Sequence, residues 1–127
     1  MIETAIKEAE RIGKRHGENA AEYVAQYAWG GRHTGDSEAA AREFLRMAEE
    51  GDPVLWDSYN PPNLSGEYAD DYSEGRLLRD VLDGFDSDAA DALEPEVIDE
   101  IADAYNRASS DGFWQRLEES AANLLER

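Results

Sequence analysis

Apolar residues recur at three- and four-residue spacing from the start of the chain. Ile2, Ala5, Ile6, Ala9, Ile12 and Gly13 fall on one stripe of a 3.6-residue period, and Lys7, Arg11, Lys14 and Arg15 gather on a neighbouring stripe. Such a division predicts an amphipathic helix. The stripe continues through Ala20, Ala21, Val24, Tyr27 and Ala28 to the stop signal Gly30-Gly31, and the pattern leaves open a kink near His16-Gly17. Ser37 with Glu38 opens a second helix whose inward face is Ala41, Phe44, Leu45 and Ala48, and Gly51 ends it. Asp52-Pro53 then reads as a cap followed by proline at the first position of a short turn carrying Val54, Leu55 and Trp56.

From Asn60 to Tyr72 (NPPNLSGEYADDY) neither period holds, and the prolines, glycine, leucine and tyrosines predict a loop that packs on itself. Ser73 caps a helix with Leu77, Leu78, Val81 and Leu82 inward, stopping at Gly84, and Ser87 starts a brief turn to Leu93. Glu94-Pro95 begins the last element, in which Ile98, Ile101, Tyr105, Ala108 and Gly112, then Phe113, Leu117, Ser120 and Leu124, keep helical spacing to the end. A helix of about 30 residues spans on the order of 45 Å; its continuity near Ser109 to Gly112 is open. No strand alternation or internal repeat is visible. The expected fold is all-α: a compact helical bundle with a long C-terminal helix and one irregular Pro/Gly/Tyr loop. The 127 residues make one domain, 1–127, and are too few for two independent cores.

Charge changes this picture. The chain holds 30 acids against 12 bases, a net of -18. Residues 1–46 carry eight acids and seven bases, whereas residues 47–127 carry twenty-two acids and five bases, so the excess lies in the second part. A duplex or an anionic membrane repels such a surface, so neither direct nucleic-acid contact nor membrane binding is expected. No run approaches the roughly 18 apolar residues of a membrane span, and the start MIETAIKEAE lacks the apolar stretch of a signal peptide. A soluble cytoplasmic protein is the expectation.

The chemistry-bearing residues are few in kind. Without cysteine there is no disulfide, thiolate zinc site or thiol nucleophile, and two histidines seventeen positions apart leave little for imidazole chemistry. Among thirty acids close carboxylate pairs arise by chance, so proximity alone does not mark a glycosidase-like site. The run Asp83, Asp86, Asp88, Asp91, Glu94 lacks the glycine and spacing of an EF-hand loop. Phosphate loops, nucleophile elbows and His-Glu-x-x-His patterns are missing. The expectation is a protein that is not an enzyme and has no cofactor and no dedicated metal site. His16 and His33 read as surface or interhelix residues, and Trp29, Trp56 and Trp114 as core. The basic stripe reads first as partners for Glu3, Glu10, Glu18 or C-terminal acids, and second as an anion site.

Two places suit a basic partner. Tyr68 and Tyr72 sit among Glu67, Asp70 and Asp71, where amphipathic rings beside carboxylates fit an arginine-rich surface; the equal alternative is that this loop caps the bundle. Glu96, Asp99, Glu100 and Asp103 lie three or four apart, about 5 to 6 Å between neighbouring Cβ atoms on a helix. A net charge of -18 matches the phosphates of about ten base pairs. Partner-binding residues are therefore expected at Glu67, Tyr68, Asp70, Asp71, Tyr72, Asp99, Glu100 and Asp103. The partner is expected to be a basic nucleic-acid-binding protein or ribonucleoprotein complex. Salt adaptation competes with this reading, since the bases are two lysines and ten arginines. So does a structural or assembly homodimer with a salt-adapted acidic surface.

GENAAEYVAQ, EEGDP and above all PPNLSGEYADDYS resemble small acidic proteins of actinobacteria and their phages, over most of the chain. Those proteins have tryptophan where this chain has Tyr68, and a threonine-proline-like helix start where it has Tyr72-Ser73. The resemblance brings no catalytic residues with it. It implies a small phage-borne or mobile gene, for which blocking a host defence nuclease is a common occupation. In size and charge the chain is similar to the phage proteins that inhibit CRISPR or restriction complexes. The expected function is thus an acidic inhibitor, a nucleic-acid mimic of the anti-CRISPR or antirestriction type.

Overall fold

Helix α1 (Ile2–Val24) passes through Gly13 and Gly17 without interruption and runs on into a π-helical turn, Ala25–Trp29. The computed structural model describes residues 2–29, 37–55, 59–62, 64, 72, 74–82 and 94–126. The other helices are α2 (Ser37–Glu50), α3 (Glu74–Val81) and α4 (Pro95–Glu126). No strand occurs among the described residues, and the fold is all-α. No helix among them is long and apolar enough to cross a membrane.

The terminal helices form the spine. Gly13 meets Tyr105, Gly17 meets Ser109 and Glu22 meets Arg116, so residue numbers rise together and α1 and α4 run parallel. Their backbones nearly touch. A Cβ on Gly112 would lie 2.8 Å from the Lys14 carbonyl oxygen, and one on Gly13 or Gly17 would overlap the carbonyl oxygen of Tyr105 or Ser109. Gly17, where a kink was open, is with Gly13 the contact surface of an unbroken helix. α4 is likewise continuous through Ser109 to Gly112, with Ser109 buried where the spacing placed Ala108.

On either side of this glycine contact lies an apolar cluster. Ala21, Trp29, Ala41, Phe44, Met47, Leu55, Phe113, Leu117 and Ala121 join the C-terminal halves of α1 and α4 to α2. Ala5, Ala9, Leu77, Leu78, Val81, Ile101, Ala104 and Tyr105 join their N-terminal halves to α3. The π-helical turn delivers Trp29 to the first cluster, where its indole N–H donates to the Tyr59 hydroxyl at 3.0 Å and its ring meets Phe44. Trp114 is partly buried against the same cluster, while Trp56 lies outside the described residues.

Capping follows the local chemistry. Gly51, at φ 66°, adopts the left-handed conformation that favours glycine, and the Asp52 N–H closes onto the Met47 carbonyl at 3.0 Å. Asp52 then accepts from the Val54 N–H at 3.0 Å. Pro95 is the first residue of α4, where its missing N–H costs no helical bond. α3 ends at Val81, before the expected Gly84, although the Leu82 N–H still reaches the Leu78 carbonyl. The expected turn from Ser87 to Leu93 and the acidic run from Asp83 to Asp91 lie outside the described residues.

The described residues of the Asn60 to Tyr72 loop are held by α4. Ser109 Oγ donates to the Pro62 carbonyl at 2.7 Å, and the Leu64 N–H donates to Asn106 Oδ1 at 2.9 Å. Ser109 is fully buried, so Ser109→Ala removes the donor from a buried carbonyl. A loss of about 1 to 2 kcal/mol is expected in urea unfolding, and a variant as stable as the parent would show that water replaces the hydroxyl.

Candidate functional site

Several cations on α1, α2 and the C-terminal part of α4 pair with neighbouring acids. Arg11 pairs with Glu8, and Lys14 with Glu18 at 4.0 Å, while Arg42 meets Glu38 at 3.7 Å. Arg46 binds Glu43, Glu50 at 2.5 Å and Asp52 at 3.5 Å. Arg116 joins Glu22 at 2.9 Å to Glu119 at 3.3 Å, across α1 and α4. Hydrogen bonds from Arg11 and Arg46 hold the Glu8 and Glu43 carboxyls below their ordinary range. Each pair is exposed and adds little stability, and Lys7 and Arg15 make no ion pair among the described residues. Of the expected partners of the basic stripe, Glu18 is used; Arg11 turns to Glu8 instead of Glu3 or Glu10.

The start of α4 carries acids with no base among them. Glu94, Glu96, Asp99, Glu100 and Asp103 are all exposed, and none joins an ion pair among the described residues. Glu96 gains from the positive end of the helix dipole, but that effect fades beyond the first turn and does not account for Asp99, Glu100 or Asp103. Helical spacing brings these three to one face. Glu67, Tyr68, Asp70 and Asp71 lie outside the described residues.

Of the two readings open for Tyr72, its contacts are those of a residue packed on the bundle. It is half-buried, its ring stacks on Tyr105 at 5.4 Å between centroids, and its hydroxyl donates to Asp80 at 2.7 Å. His16 meets both rings edge-on, and its Nδ1 shares a 2.7 Å hydrogen bond with the Tyr105 hydroxyl. The Arg76 guanidinium lies 5.6 Å from the Tyr72 ring centroid. Of its two expected placements, His16 takes the interhelix one; His33 is outside the described residues.

These groups wall a pocket of about 620 Å³ between α1, α3 and α4, with Arg11, Arg15 and Pro62 also on its lining. Burial, first, and then the charges of Arg15 and Arg76 push the His16 pKa below 6.5, against a smaller pull from Asp80. Burial pushes Tyr105 up to about 12, and burial with the Asp80 hydrogen bond raises Tyr72. Near neutral pH all three rings are uncharged hydrogen-bonding groups. The pocket draws on residues far apart in the sequence; its local signal was a histidine on the apolar stripe at the four-residue step after Ile12. Among the described residues no group of three or more metal-ligating side chains is placed to hold an ion.

The depressed His16 pKa has a pH consequence. The unfolded chain binds this proton more readily than the folded one, so the contribution is complete above about pH 6.5 and lost as pH falls through the lower folded value. NMR titration of the His16 ring should give a midpoint below 6.5. His16→Gln should flatten the rise of stability with pH that lies below about 6.5. A midpoint at or above that of an exposed imidazole would contradict the assigned environment.

No protein-family model, curated protein or solved structure matches the chain.

Proposed function

We propose that the chain is an acidic protein inhibitor that occupies a basic nucleic-acid-binding surface of a host defence complex, in the place of the nucleic acid. The observation that carries this reading is the density of charge at the start of α4, where five exposed acids from Glu94 to Asp103 have no base among them and no ion pair among the described residues. From Glu94 to Asp103 the helix rises about 1.5 Å per residue, which sets one acid per roughly 3 Å. One strand of a duplex carries one phosphate per about 3.4 Å, so the charge densities are close. These acids begin a continuous 32-residue helix whose later turns are locked to α1 by backbone contact, and a rigid array loses little entropy on binding.

The resemblance to small acidic phage proteins supports the same reading, with the host cytoplasm as the place of action and an anti-CRISPR or antirestriction role. It calls for no cofactor and no catalysis. The homodimer alternative needs exposed apolar faces, and among the described residues the large exposed apolar side chains are Tyr23 and Val54, on separate elements.

Competition tests the proposal. The immobilised protein, incubated with host lysate at low salt, should retain a nucleic-acid-binding protein that added duplex DNA releases. The same complex should weaken as salt rises, since screening shortens the reach of its charges. Retention indifferent to both DNA and salt would refute mimicry.

A further inference from the structure

One side of the seam between α1 and α4 is lined, among the described residues, by those two helices alone. The groove there holds about 550 Å³, and both helices are described along its whole length. Ala104 and Gly112, both buried, form its floor with Ala108, while the charged side chains of its walls are exposed. Lys7, Glu10 and Lys14 stand on the α1 wall, and Arg107 and Asp111 on the α4 wall. Arg11, also on the α1 wall, is held by Glu8, and Lys14 lies 4.0 Å from Glu18. Lys7, Glu10, Arg107 and Asp111 make no ion pair among the described residues. Yet Glu10 and Lys14, like Arg107 and Asp111, are four residues apart on one helix, the spacing at which such pairs form.

The two walls are in register. Gly13 abuts Tyr105, and Lys14 abuts Gly112. Glu10 therefore falls level with the α4 turn that holds Arg107, and Lys14 level with Asp111. Opposite charges face each other across the groove without pairing. A two-fold axis laid along such a groove exchanges its walls and keeps each residue at its level, so a second copy sets α1 over α4 with each charge opposite its complement. We propose that this face is the interface of a symmetric pair of chains, in which Glu10 meets Arg107 and Lys14 meets Asp111 of the second copy, each contact made twice. Lys7 falls level with Asp103 and meets it in the same way. The result is a weak ionic pair and not an assembly dimer built on apolar faces. A net charge of -18 sets two copies against each other at long range. The lining itself holds four bases and two acids, however, and at physiological salt the reach of the more distant acids is only about 8 Å.

Sedimentation velocity over a range of protein concentrations, at about 0.15 M salt, tests the pairing. The parent is expected to shift from monomer towards dimer as concentration rises. Glu10→Lys and Arg107→Glu, each checked for folding by circular dichroism, should weaken self-association about tenfold or more, since each turns two attractive contacts into repulsive ones. Mixing the two variants brings complementary walls together, and the mixture should form a heterodimer although neither variant pairs with itself. The double variant Glu10→Lys with Arg107→Glu should self-associate again. Arg42→Glu, on α2, changes the net charge as much as Arg107→Glu does and should leave pairing intact. A parent that stays monomeric at every concentration overturns the proposal. So does a mixture that associates no better than its components, or an Arg42→Glu variant impaired as much as Arg107→Glu. A monomeric parent whose complex with a lysate protein is weakened by Arg107→Glu would give the groove to that partner instead.

Discussion

Gly17→Ala is expected to lower the stability of the fold by about 2 kcal/mol or more, although alanine is the better helix former. Intrinsic propensity alone would make the change stabilising by roughly 1 kcal/mol. At this position a Cβ would overlap the Ser109 carbonyl oxygen and lie 2.9 Å from the Phe113 backbone nitrogen. Both are backbone atoms inside a 32-residue helix, so no side chain can swing aside. Relief requires α4 to move away from α1, which loosens the Phe113 and Leu117 packing on one side and the Tyr105 packing on the other. Overpacking of this kind costs about 1 to 3 kcal/mol and sometimes more, and it must first cancel the propensity gain. Urea unfolding followed by circular dichroism and tryptophan fluorescence should show the loss, with a melting temperature lower by about 4 °C for each kcal/mol lost. A more stable Gly17→Ala protein would mean that the helices do not meet here.

What could be read from the residues divides by range. Helix spans, the Gly51 stop, the Pro95 start and the all-α class depend on neighbours within a few positions, and hydrophobic spacing with capping chemistry resolves them. The acidic face of α4 is local in the same sense, because helical spacing alone places Asp99, Glu100 and Asp103 together. Gly17 was visible too, but one strand of sequence shows a glycine only as a weak point in a helix. Its use as a contact surface depends on the backbone of residue Ser109, ninety-two positions away. The burial of Ser109 in place of Ala108 has a similar origin: the Pro62 carbonyl needs a donor, and helical period carries no information about that need. The pocket is the least legible feature, since Arg15, Pro62, Tyr72, Arg76 and Tyr105 converge only after α1 and α4 align in parallel. Tyr72 shows the limit well. Its acidic neighbours in sequence left a partner-binding ring and a bundle-capping one equally open, and the stacking on Tyr105 and the bond to Asp80 that draw it into the bundle come from residues far along the chain.

Simultaneous reversal of Asp99, Glu100 and Asp103 to lysine should weaken the proposed complex by about 3 kcal/mol or more, over a hundredfold in Kd. The three changes raise the net charge by six from -18, and they place repulsion where attraction is proposed. The fold should barely respond. All three side chains are exposed and make no ion pair among the described residues, lysine is a good helix former, and such surface changes usually stay within about 0.5 kcal/mol each. The effect should appear chiefly in the association rate at low salt if the acids lie at an interface rim, and in the dissociation rate if they are desolvated. A charge-matched control separates placement from total charge: reversal of Glu38, Glu43 and Glu50, each already tied to Arg42 or Arg46, also raises the net charge by six. Affinity measured against the DNA-releasable partner should fall much less in that control. Equal losses in the two triple variants would mean that the partner responds to overall charge, and the start of α4 would then hold no special place in recognition.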